Sequence, residues 1–179
     1  QRVAREELVL IVDIGGGTGA CAIIAASLGH HVRAYDASPS MIEAARAAAR
    51  APGLDVEFKV ALIGDIPAAD ASSDIVTLRN VLWTLEEPMA ALRTAHRLLR
   101  PGGRVVVSDG LWSVAPHYRA TYAPEIAARL PLHDGLTQMR AERMLAEAGF
   151  PVAQGWQHLF PASPYPGDVP VFVLSAVKP

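Results

Sequence analysis

Strand-like and helix-like segments alternate over about 110 residues of this chain, and that alternation narrows its fold more than any other feature. "LVLIVDI" (8–14) is a short apolar run with β-branched residues that closes on glycines, the pattern of a buried strand. "TGACAIIAASLG" spaces its apolar residues as a helix does and stops at Gly29. "HVRAYD" reads as a second strand. Ser38 then supplies an N-cap and Pro39 a first-turn proline for a helix over "SPSMIEAARAAAR". "LDVEFKVA" and "SDIVTLRNVL" give strands three and four. A helix over "EPMAALRTAHRLLR" ends at Pro101-Gly102-Gly103, and "GRVVVSDG" is a fifth strand. The order predicts a parallel sheet covered by helices on both faces. The end of the chain differs. After the helix "TQMRAERMLAEAGF", two extended segments, "PVAQGWQHLF" and "DVPVFVLSAVKP", are joined by "PASPYPG". That link is too brief for a crossover helix, so the two are expected to pair antiparallel. With no internal repeat, residues 1–179 are expected to form a single domain.

Composition removes several function classes. The net charge is −2 and lysine occurs only at Lys59 and Lys178, so no basic stripe exists and a nucleic-acid partner is disfavoured. The lone Cys21 has no internal disulfide partner and leaves no cysteine cluster for a metal; its place in a helical apolar pattern suits packing. No stretch reaches the about 18 apolar residues that a membrane-crossing helix needs, and no basic-then-apolar leader opens the chain. A cytoplasmic location is therefore expected. "QRVAREEL" reads as the last turns of a helix that starts further upstream.

Gly15, Gly16, Gly17 and Gly19 fall at the carboxyl end of strand one, where doubly wound sheets bind nucleotide-like ligands. Glycine there permits tight turning and close ligand approach, and the following helix offers free N–H donors. Strand two ends on Asp36, 21 positions after Gly15, the spacing of a carboxylate that accepts from both hydroxyls of a ribose. A 2′-phosphate would be repelled. The glycines alone fit both NAD and S-adenosylmethionine, since Gly15 to Ala20 also satisfies the loose G-x-G-x-x-A pattern. A P-loop is rejected because no lysine follows. The Tyr-x-x-x-Lys pair of short-chain dehydrogenases is also missing.

Taken together, "VDIGGGTG", the acid at Asp36, "GDIP", "LRNVLWTL" and "LLRPGGRVVVSD" resemble the class I S-adenosylmethionine-dependent methyltransferases of the small-molecule kind. The resemblance runs from about Val9 to the C-terminus. It implies an α/β fold, Rossmann-like and doubly wound, with a seven-stranded, mostly parallel sheet whose last strand is antiparallel. It implies S-adenosylmethionine as cofactor and a small metabolite as substrate, natural-product or quinone-like, methylated at oxygen, nitrogen or carbon. Gly15, Gly17 and Gly19 would then pass under the methionine and ribose portion, with Asp13 orienting the loop. Asp36, with Ala37 beside it, would take the ribose hydroxyls. Met41 would line the adenine, Asp65 accept from its amino group and Ile66 pack on its face. Backbone at Arg79 would face the methionine end; Arg79-Asn80 is like the quinone-biosynthesis enzymes, whereas "VLWTL" is closer to natural-product ones. Blander roles stand beside these: a turn cap for Asp65, an ion pair for Arg79, pocket floor or core for Trp83, and solvated surface for His30, His31 and His96. An NAD-linked oxidoreductase and a non-catalytic cofactor-binding module are the alternative functions.

Methyl transfer is an in-line displacement, for which a protein supplies mainly orientation and a dry, preorganised site. A nucleophile with a removable proton also wants a general base. Residues 110–135 fall where related enzymes carry a substrate-covering insertion, and His117 is the first candidate base there. Tyr118, Tyr122, His133 and Asp134 lie in the same stretch. No metal is expected: His117, His133 and Asp134 make a poor ligand set, and Arg79-Asn80 departs from the acids that metal-dependent catechol methyltransferases place after strand four. The same residues depart from the Asn/Asp-Pro-Pro-aromatic stretch of enzymes acting on nucleic-acid amino groups. A homodimer is left open.

Overall fold

The computed structural model describes residues 8–50, 53–114, 122–159 and 162–179. Seven strands form one sheet in the order β3-β2-β1-β4-β5-β7-β6. The strands are β1 (Leu10–Ile14), β2 (His31–Asp36), β3 (Val56–Val60), β4 (Ser73–Arg79), β5 (Leu99–Gly110), β6 (Ala153–Gly155) and β7 (Val171–Val177). Pairs among β1 to β5 are parallel, while β7 runs antiparallel to both β5 and β6. This is the doubly wound, mostly parallel sheet with a reversed end that the sequence predicts. The chain runs outward from β1 to β2 and β3, then returns to place β4 on the other side of β1. That reversal opens a crevice beyond the carboxyl ends of β1 and β4.

The helices are α1 (Ala20–Ser27), α2 (Pro39–Arg50), α3 (Pro88–Leu98), the short α4 (Pro124–Ala127) and α5 (Gln138–Glu147). Helix α2 buries Ile42, Ala45 and Ala49, spaced three and four apart, against β2 and β3. Helix α3 buries Ala91, Leu92, Ala95 and Leu98 on the opposite face of the sheet. Each large apolar side chain buried there contributes about 1.5–3 kcal/mol. Thr137 caps α5 by accepting from Arg140 N at 3.3 Å.

Three details depart from the sequence reading, the first being His30, read as solvated but half-buried with its Nδ1 shielded from solvent. Helix α3 stops at Leu98 rather than at Pro101, because strand pairing begins at once: Leu99 lies opposite Ser73 in β4, and Gly102 N donates to Lys178 O. His96 is half-buried, not solvated. It meets Phe150 edge-on at 5.2 Å, and burial, with the Lys178 ammonium nearby, lowers its pKa.

Candidate functional site

The glycines after β1 serve two purposes. Gly15, Gly17 and Gly19 all have positive φ (66°, 54° and 87°), a region that costs other L-residues. Close packing adds a second demand at Gly15, where a Cβ would stand 2.3 Å from Val81 Cγ2 just past β4. It does so at Gly19 too, where a Cβ would crowd Ala45 and Phe58 at 3.1 Å. Gly17 is different. Nothing lies within 4 Å of its would-be Cβ, so its backbone borders open space.

Asp36 ties this loop down. Gly17 N donates to Asp36 Oδ2 and Ser38 N to Oδ1, each at 2.9 Å. A carboxylate offers about four lone-pair sites, so roughly two stay available for a ligand. Gly15, Asp36 and Ala37 line one cleft of about 250 Å³ together with Ile63, Ile66 and Tyr122. Larger surface grooves exist, of about 480 Å³ between the start of α3 and α5 and about 390 Å³ beside β7, but neither touches the glycine loop.

Asp13 braces the loop from beneath. It is buried, its Oδ1 accepts from Thr77 Oγ1 at 2.5 Å, and its Oδ2 has no partner among the described residues. Burial pushes its pKa up to about 6, against the lowering effects of Thr77 and of the Arg79 charge. Asp13 and Arg79 share a small crevice of about 20 Å³ with Gly16 and Cys21. Burial, and then Asp13, drive the Cys21 thiol up to about 11.

The remaining sequence candidates spread out. Met41 is 44% exposed on α2, and Asp65 is exposed at the end of a 3₁₀ turn over Ile63–Asp65; neither lines the cleft. Ile66, next to Asp65, is buried against it. His133 and Asp134 form an exposed pair at 3.3 Å, off the cleft. His117 and Tyr118 lie outside the described residues. Among the described residues no three His, Cys, Asp or Glu side chains gather as a metal site.

Asn80, Asp109 and Trp83 lie at the far end; the sequence reading takes Trp83 as pocket floor or core, names Asn80 only within the Arg79-Asn80 pair and assigns nothing to Asp109. Asn80 holds a positive φ of 53°, and its Nδ2 donates to the Tyr165 hydroxyl oxygen at 2.5 Å. Asp109, at the end of β5, is fully buried. Its Oδ1 accepts from Trp112 Nε1 at 2.7 Å and from Gly110 N at 2.9 Å, and burial raises its pKa to about 6. Trp83 packs tilted on Trp112 at 5.7 Å and on Tyr122 at 5.6 Å. One signal for Asp109 was present in the sequence: "VVVSDG" closes an apolar strand on an acid, as "LIVDIG" does.

Fold and site together define a class I S-adenosylmethionine-dependent methyltransferase domain, and comparison with known proteins agrees. The methyltransferase domain family matches residues 12–107, more than half of the chain, and the chain belongs to that family. The ubiquinone biosynthesis O-methyltransferase of Xanthomonas axonopodis pv. citri is 32% identical over 121 residues, covering 67% of this chain and 51% of that protein. The demethylmenaquinone methyltransferase of Clavibacter sepedonicus is 38% identical over 113 residues, covering 63% and 45%. This chain thus spans about half the length of the curated relatives it matches. A crystal structure of a SAM-dependent methyltransferase from Methanosarcina mazei superposes with a TM-score of 0.73 at 22% identity, over 97% of this chain and 93% of that one, a likeness of fold.

Proposed function

We propose that the protein containing this chain transfers a methyl group from S-adenosylmethionine to a small metabolite, with a quinone-like or natural-product ring as the class of substrate. The observation that carries this reading is Asp36: a carboxylate at the end of β2, fixed by two backbone donors, with acceptor capacity left over beside a glycine loop. Those features fit an adenosine. Asp36 would accept from the ribose hydroxyls, Ala37 and Ile66 would flank the base, and Asp65 and Met41 would meet its edge from the rim. Gly15 and Gly17 would pass beneath the ribose and methionine, with Gly19 turning the chain into α1. Asp13 would orient the loop, and backbone at Arg79 would face the methionine end. When bound, the cofactor supplies a methyl group already activated by its sulfonium. The protein then needs to align an acceptor and exclude water, and loss of charge from sulfur during transfer suits apolar surroundings.

Residues 110–135 would cover the substrate, with His117 as the base for an acceptor that must lose a proton. The site would work as one domain in the cytoplasm, alone or as a homodimer. The two quinone-biosynthesis relatives support the substrate class. Calorimetric titration with S-adenosylhomocysteine and with NAD tests the reading. The thioether is expected to bind and Asp36→Ala to weaken it by on the order of 100-fold, the loss of charge-assisted bonds to both hydroxyls. Tight NAD binding with no response to the thioether would end it.

A further inference from the structure

The link between β6 and β7 reaches back over the sheet. It carries Tyr165 to the end of β4, where the hydroxyl oxygen accepts from Asn80 Nδ2 at 2.5 Å and from Arg79 Nη2 at 3.1 Å, 85 and 86 positions away in sequence. Pro164 and Pro166 flank Tyr165 and fix their own φ angles, and Tyr165 N donates to Ser163 Oγ at 3.3 Å. The Tyr165 ring meets Trp112 edge-on at 5.0 Å. Through Trp112 and Trp83 an unbroken row of rings then runs to Tyr122, which borders the cofactor-side cleft. Asn80 is the strained point in this arrangement. It holds φ at 53°, and its Oδ1 is buried with no partner among the described residues. Such conformations persist where the surroundings over-determine them, and they cluster at functional sites.

A phenolic hydroxyl has two acceptor lone pairs and one proton. Both lone pairs of Tyr165 are taken by N–H donors, so only its proton is left to offer. Whatever else meets this hydroxyl must therefore accept a hydrogen bond. Beside it stands the Arg79 guanidinium, with no carboxylate within 4 Å among the described residues, a charge that favours an oxygen lone pair over the nitrogen of a neutral arylamine, whose lone pair is delocalised into its ring. We propose that Tyr165 is a specificity-determining residue of the acceptor subsite, its hydroxyl donating at the end of β4 to the oxygen of an oxygen-bearing aromatic ring in preference to the corresponding amine. This rests on the methyltransferase reading of the adjoining cleft.

The test is calorimetric, on the full chain with S-adenosylhomocysteine present, using 1-naphthol and 1-naphthylamine as probes of equal shape. Wild type is expected to prefer the naphthol by about tenfold, the value of one well-formed hydrogen bond to the ligand. Tyr165→Phe, which keeps the ring on Trp112, is expected to erase that preference by weakening naphthol alone. Asn80→Asp should do the same by another route, because a second acceptor draws the Tyr165 proton inward. General loosening of the fold weakens both probes alike and leaves their ratio unchanged. A ratio that either variant leaves intact, or a wild type without preference, overturns the proposal while S-adenosylhomocysteine still binds. Failure of wild type to bind S-adenosylhomocysteine instead sinks the cofactor reading, and this inference with it.

Discussion

The two sides of the candidate site, the glycine loop and the Tyr165 cluster, are built from different materials. On the glycine side the groups that shape the site are backbone amides held by one carboxylate, and the partners are close in sequence: Gly17 and Asp36 are 19 positions apart, Ser38 and Asp36 two. On the Tyr165 side the contacts join side chain to side chain across 85 positions or more. Each end also rests on a buried acid, Asp13 under the glycine loop and Asp109 under the aromatic row. A frame made of backbone would suit a cofactor, which is the same in every turnover. Side chains mounted on a long connection can change without disturbing that frame, which suits the half of a site that must distinguish one acceptor from another.

If the glycine side is a packed backbone device, two of its glycines, Gly15 and Gly17, should respond very differently. Gly15→Ala combines left-handed strain with a Cβ driven to 2.3 Å from Val81 Cγ2. Together these cost about 3–4 kcal/mol, which lowers the melting temperature by roughly 10 °C, and thioether affinity should fall by more than about 100-fold. Gly17→Ala meets open space, so only the strain of its φ remains, about 1 kcal/mol or roughly 3 °C. Val81→Ala should relieve part of the Gly15→Ala defect. Equal melting temperatures for the two single variants would show that conformation alone, and no contact with the end of β4, holds the loop.

The same contrast explains what could be read from the sequence. The succession of strands and helices, the terminal antiparallel pair and the glycine–Asp36 motif are legible because apolar periodicity and short spacings encode them directly. The Tyr165–Asn80 contact is not, since nothing in "PASPYPG" points to a partner 85 positions earlier; folding of the sheet brings them together. Met41 and Asp65 show the reverse limit. Their spacing matches the motif, yet both side chains are exposed and neither lines the cleft. His96 reads as surface because its neighbours Arg93 and Arg97 are charged, while the packing of Phe150 on it is a tertiary event.

The buried acid of the Tyr165 side can be separated from the rest by pH. Unfolded, Asp109 ionises near its ordinary value of 3.8; folded, burial raises it to about 6. Below about pH 4 the carboxyl is neutral in both states. As pH rises from about 4 to 6 the unfolded chain releases the proton and the folded one keeps it, so stability falls, by about 3 kcal/mol for this group once pH exceeds 6. Asp13 contributes in the same direction. Asp74 acts oppositely: a backbone bond from Leu10 lowers its pKa, so its contribution is lost on acidification. The informative quantity is thus the difference between variant and wild type. Denaturant midpoints for Asp109→Asn between pH 4.5 and 7.5 should lose about half of the fall that the two buried acids produce. An identical pH profile would mean that Asp109 does not hold its proton in the folded protein.

The smallest effect belongs to the glycine side and isolates its acid. Thr77→Val is nearly isosteric and deletes the side-chain bond from Thr77 Oγ1 to Asp13 Oδ1. That bond favours the ionised carboxylate, so its removal should push the Asp13 pKa further up. The cost, about 1–2 kcal/mol at pH 8, should shrink near pH 4.5, where the folded protein already carries Asp13 neutral. Because Asp109 shares none of these partners, Thr77→Val and Asp109→Asn should add in the double variant to within about 0.5 kcal/mol. A deficit of the same size at both pH values would assign Thr77 to packing alone, and strong non-additivity would mean that the two sides of the candidate site are mechanically one.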